Sequence, residues 1–223
     1  MTTTAAQLGL TVGPLITYLY VIAVWQSGHR PRIVPGPLDY CLLLFGLSGP
    51  VLFGPIGRLL LMRAGPRMPP TLWAWVALAS ALGILSLPWL PRAFRRVVVY
   101  NADPDQLQIA LHAVVSELPG HFERTLNGFE DHNRNRGLKV ETARRLRSAV
   151  IEAYGADPEI LIALVGRGLR RHLRGPVPRP SAVAWALLAV CLAMLVPSLA
   201  LLLSHTHQAR AVFRALIDAL HGG

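Results

Sequence analysis

Apolar and polar positions segregate into long blocks along this chain. Residues 8–25, 39–62, 71–90 and 183–203 are almost wholly apolar. Residues 92–180 alternate apolar and polar on a much shorter period. A helix needs about 20 apolar residues to cross a bilayer, so each of the four blocks is predicted to span. Residues 205–223 differ again. Ala209, Val212, Phe213, Leu216, Ile217 and Leu220 recur at helical spacing, which predicts an amphipathic helix too short and too polar to span.

Aromatic and helix-breaking residues refine this picture. Trp25 ends the first block, Trp73 and Trp75 open the third, Trp89 closes it and Trp185 opens the fourth. Tryptophan collects where hydrocarbon meets headgroups, so these five are predicted to mark the membrane interface. The second block carries Gly49, Pro50, Gly54 and Pro55 near its middle. Proline removes a helical hydrogen bond and crowds the preceding turn. Such a break fits either a discontinuous helix lining a transport site or a kinked span packed through small residues. Packing is the commoner cause, because Gly and Pro are frequent in membrane helices.

The polar stretch predicts a small mixed domain. Residues 95–100 are β-branched and compact, as a strand requires. Asp103, Pro104 and Gln106 form a helix start, and Leu107, Ala110, Leu111, Val114 and Leu118 share one face of the helix that follows. Asn127-Gly128 signals a hairpin between residues 122–126 and 129–132, and residues 138–142 alternate as a further strand. Residues 143–154 fit a helix through Ala143, Leu146, Val150 and Ala153, or a strand over 148–151. The strand is preferred, because the apolar first strand needs several partners to make a stable sheet. Asp157 and Pro158 open a last helix, which runs to about residue 173.

The fold class expected is therefore an α-helical integral membrane protein with four transmembrane helices. A small α+β domain, close to a split βαβ or ferredoxin-like layout, is inserted between the third and fourth. The parts are a membrane domain over 1–91, the α+β domain with its linker over 92–180, the fourth span over 181–204 and the tail helix over 205–223.

Composition and charge bear on orientation and partners. Only 15% of the 223 residues are charged, against about 25% in soluble domains, and mean hydropathy is +0.42. The net charge of +10 is distributed unevenly. Ten arginines near span ends fall in the loop at Arg30 and in residues 92–180, against five in the other segments. The positive-inside rule then puts the polar domain in the cytoplasm of a multi-pass cell-membrane protein, with both termini outside. Arg144, Arg145 and Arg147, and the run Arg167, Arg170, Arg171 and Arg174, have few aromatics between them, which argues against nucleic acid. The second group precedes a span, where anionic headgroups attract it. Cys41 and Cys191 lie in apolar blocks and read as small hydrophobes.

No reactive constellation emerges. Glu130, Asp131 and His132 are adjacent, but neighbours on a strand point to opposite faces. His205 and His207 lack further ligands, Ser148 and Ser181 lack a base, and there is no phosphate loop. No catalytic, metal or cofactor residue is assigned, and no motif names a cofactor. The expectation is a non-catalytic membrane subunit. Its partners are the lipid bilayer and a membrane protein or a second copy, docked through Val212, Phe213, Leu216, Ile217 and Leu220. The alternative is a transporter or channel component that uses the broken second span.

Overall fold

The computed structural model describes residues 5–54, 57, 72–173 and 181–204. Pro55, the linker at 174–180 and the tail helix at 205–223, with Val212, Phe213, Leu216, Ile217 and Leu220, lie outside the described residues. Two compact units divide the chain. One holds the described parts of 1–20, 43–85 and 188–223; the other holds 21–42 and 86–187.

Helix α1 spans Ala5–Ser27, α2 spans Gly36–Ser48 and continues as a π-helical turn over Gly49–Phe53, and α3 spans Leu72–Ser86. A 3-10 turn, Leu87–Trp89, and a short helix α4, Leu90–Phe94, extend α3. Pro88 and Pro91 account for that change of helix type, since neither can donate to the preceding turn. With α7, Ala182–Ser204, the described residues hold four helical stretches long and apolar enough to cross a membrane: Gly9–Ser27, Gly36–Phe53, Val76–Phe94 and Ala182–Ala200. They suggest association with a membrane. Within the first unit, Pro14 of α1 leaves the Leu10 carbonyl without its helical donor. Gly49 sits against the Leu10 and Thr11 carbonyls and the Pro14 ring, and Gly46 against the Tyr18 side chain. A side chain at either glycine would collide, so α1 and α2 approach closely through them.

The second unit carries a six-stranded, wholly antiparallel sheet. Its strands are β1 Arg32–Pro35, β2 Arg96–Tyr100, β3 Glu123–Thr125, β4 Gly128–Asp131, β5 Arg136–Ala143 and β6 Ser148–Gly155. Their spatial order is β1-β2-β6-β5-β4-β3. The segment 143–154 is thus the end of one strand and most of another. Between β2 and β3 runs α5, Pro104–Glu117; after β6 comes α6, Pro158–His172. Four antiparallel steps separate β2 from β3, so these two strands are parallel. They flank the other three as a split βαβ unit joined by α5. The ferredoxin-like expectation does not hold beyond that crossover. Four strands in a row, β3 to β6, lie between the two helices, where a ferredoxin-like chain has two.

β1 comes from outside the polar stretch, in the loop between the first two apolar helices. Ile33 and Val34 favour extended backbone, and Pro35 is tolerated because the strand is an edge. It pairs Arg32 with Tyr100 and Val34 with Val98. Helices α5 and α6 cover one face of the sheet. Val97, Val99, Leu138, Ile151 and Ala153 meet Leu107, Leu111, Val114, Leu161, Val165 and Leu169 in one core.

Two helix starts behave differently. At α5 the Asp103 carboxylate accepts the Asp105 N–H at 3.1 Å, as a cap should. Asp103→Ala should destabilise the full chain by about 0.5–2 kcal/mol. Thermal melts of the two proteins check this, and equal midpoints would remove the cap. Asp157 stands at the cap position of α6, but its backbone is left-handed (φ 47°) and its side chain makes no capping bond. The sequence expectation is corrected there: Asp157 serves as the turn residue that reverses the chain after Gly155.

Candidate functional site

One polar network in the second unit joins the helix ends to the sheet. Asp39 lies in the first turn of α2, where the helix dipole favours a carboxylate. It accepts the Tyr100 hydroxyl at 2.5 Å, and the Arg96 guanidinium stands 4.0 Å away. Tyr100 and Arg96 project from β2 on the face opposite the core. The Trp25 ring, at the end of α1, lies 5.4 Å from the Tyr100 ring in a tilted arrangement. Tyr40 donates to the Ser86 carbonyl at 2.8 Å, tying α2 to the end of α3. Asn101 is fully buried with a left-handed backbone (φ 55°) and donates to the Gly28 carbonyl at 2.6 Å. Gly36 fits against the Ala93 carbonyl and Arg96 with no room for a Cβ. The starts and ends of three apolar helices are thereby fastened to β1 and β2.

The other predicted positions are dispersed. Trp89 is exposed with Arg92 over its ring at 5.2 Å, and Trp185 is exposed. Trp73 and Trp75 fall within α3. Gly49 and Pro50 open the π-helical turn and Gly54 ends it in an extended conformation. Sequence reasoning passed over Asp39, Tyr100 and Asn101. A signal existed for the first, since Asp39 is the single carboxylate among residues 1–91.

Beyond the helix ends, the face of β4, β5 and β6 away from the core is polar. Tyr154 donates to Glu130 at 2.6 Å, reaching across β5 because Gly137 between them has no side chain. Partial burial, then the Glu130 hydrogen bond and charge, push the Tyr154 hydroxyl up to about 12. Lys139 pairs with Glu141 at 2.7 Å and faces Glu152. The Glu141 hydrogen bond and charge raise the Lys139 pKa. This face is a fixed pattern of donors and acceptors.

Asp131 turns the opposite way, into the core edge. It is 1% exposed and pairs with Arg136 at 3.3 Å. Asp131 therefore diverges from Glu130 and His132, whose side chains approach each other to 4.0 Å, and among the described residues no three His, Cys, Asp or Glu side chains gather into a metal site. A cavity of about 140 Å³ opens between α5 and the β3–β4 hairpin, with His112 edge-on to Phe129 at 5.1 Å and Arg124 and Thr142 in its wall. Its lining holds one imidazole and no carboxylate. No family model, curated protein or solved structure matches this chain.

Proposed function

We propose that this chain is a non-catalytic integral membrane subunit that presents a docking sheet on the cytoplasmic side, tied to the adjoining ends of its apolar helices. The observation that carries the reading is the pairing of β1 with β2. A sheet meant to move independently would hang from a linker. This one takes its edge strand from the loop between the first two apolar helices and is bolted to them through Asp39, Tyr100 and Asn101. The pairing also bears on topology. β1 and β2 must share one side, so α2 and α3 together make an even number of crossings. With four crossings, both termini lie on the side opposite the sheet. The arginine balance favours the cytoplasm for the sheet.

The transport alternative draws on the π-helical turn at Gly49–Phe53, since such turns recur at functional sites. The packing of Gly46 and Gly49 against α1 favours the subunit reading, because close helix contact rather than an open lumen accounts for the small residues.

The segment 205–223, whose sequence pattern is that of an amphipathic helix, is the second docking element of this proposal. Its polar side has Arg210, Arg214 and Asp218, a weak anchor for a lipid surface, whereas its apolar stripe suits a protein groove. Phe213→Asp with Ile217→Asp should reduce the assembly size of the full chain purified from native membranes in mild detergent. A double variant that elutes at the wild-type size would remove the tail from the docking account.

A further inference from the structure

Three arginines from separate parts of the chain converge at one end of the sheet. Arg30 and Arg32 belong to the loop after α1 and to β1, and Arg170 to the last turn of α6. Together with Pro31, Ile33 and Leu173 they line a cavity of about 270 Å³. All three arginine residues are exposed. Among the described residues, none of them has a carboxylate within 4.0 Å. The nearby acidic groups are engaged elsewhere: Asp39 with Tyr100 and Arg96, and Glu117 with Arg171 and His172. One arginine at a helix C-terminus is explained by the helix dipole. Three drawn from two elements into one concavity, with no acid among the described residues paired to them, are not.

We infer that this cavity binds the headgroup phosphate of an anionic phospholipid. Guanidinium groups match phosphate oxygens in pairs, and three of them can surround one phosphate. Pro31, Ile33 and Leu173 supply an apolar wall of the kind a glycerol backbone contacts. Position along the chain selects lipid over a soluble anion. Arg30 is three residues beyond the end of α1, an apolar stretch of membrane-crossing length, so the cavity opens where headgroups lie. The lipid would then bridge β1 and α6, reinforcing the mount of the sheet. The inference rests on the reading that the apolar helices cross a bilayer.

The test uses the full chain, reconstituted in phosphatidylcholine vesicles doped with phosphatidylglycerol. Protein is then extracted in mild detergent and the retained lipid is counted by native mass spectrometry. Each arginine near a membrane surface changes affinity for anionic lipid by about fivefold, so Arg30→Gln, Arg32→Gln and Arg170→Gln together should lower phosphatidylglycerol retention by on the order of a hundredfold. The triple Arg→Lys variant should keep most of it. Arg134→Gln, Arg144→Gln and Arg145→Gln, the same charge change outside the cavity, should leave retention unchanged. Equal losses in both Gln triples, or no loss in either, would overturn the site. Tight binding of inorganic phosphate to lipid-free protein, undiminished by phosphatidylglycerol, would overturn the lipid assignment. A chain that fails to sediment with membranes would instead remove the membrane reading, and the headgroup with it.

Discussion

Replacing Asp131 with alanine should destabilise the sheet by about 3–5 kcal/mol, the cost of leaving a buried charge without its partner. Asp131 is buried at the end of β4, and its carboxylate meets Nε of Arg136 at 3.3 Å. The same guanidinium donates to the Pro119 carbonyl and lies 5.1 Å from the centre of the Phe122 ring. One arginine thus ties the exit of α5 and the approach to β3 to the β4–β5 hairpin. Without Asp131 the guanidinium must either stay desolvated and unpaired or pull out and release both segments. Each kcal/mol shifts a midpoint by about 2–4 °C in a chain of this size, so the melt of the full chain should fall by more than about 6 °C. Asp131→Ala with Arg136→Met should fall less, since no charge is stranded. A single variant within about 1 kcal/mol of wild type would show that the pair does not hold this corner.

A polypeptide of residues 92–180 made on its own should not give the monomeric sheet of the full chain. It lacks β1, and with it the partner of Arg96–Tyr100. The exposed edge would carry Val97, Val98 and Val99, β-branched residues with free backbone donors and acceptors, which is the pattern that recruits another chain. Val98 and Tyr100 would also lose the cover of Val34 and Trp25. The fragment should aggregate or pair through β2, and ultracentrifugation reads this directly. A monomeric fragment with the full chain's unfolding midpoint would mean that β1 is dispensable.

That boundary shows what the sequence made legible and what it hid. The apolar helices and α5 are announced locally, by length or by Asp103-Pro104. The β3–β4 turn is announced by Asn127-Gly128. β1 is four residues long, ends in proline and pairs with residues more than sixty positions away, so no local period reveals it. The same distance hides the network around Asp39. Trp25 looks like an interface anchor from its position, and nothing nearby foretells that its ring meets Tyr100. Asp157 misleads for the converse reason. Asp before Pro is a strong local cap signal, but the reversal after Gly155 takes that residue's backbone for a left-handed turn.

The central claim is that the loop after α1 and the sheet share the cytoplasmic side, with both termini opposite. It is tested most directly by single cysteines in a Cys41→Ser, Cys191→Ser background, probed with an impermeant thiol reagent on intact cells. His29→Cys and Thr125→Cys should stay unlabelled until the membrane is opened, whereas Thr3→Cys should label at once. Labelling of Thr125→Cys with protection of Thr3→Cys would invert the orientation. Opposite accessibility at His29→Cys and Thr125→Cys would contradict the pairing of β1 with β2 on which the whole account stands.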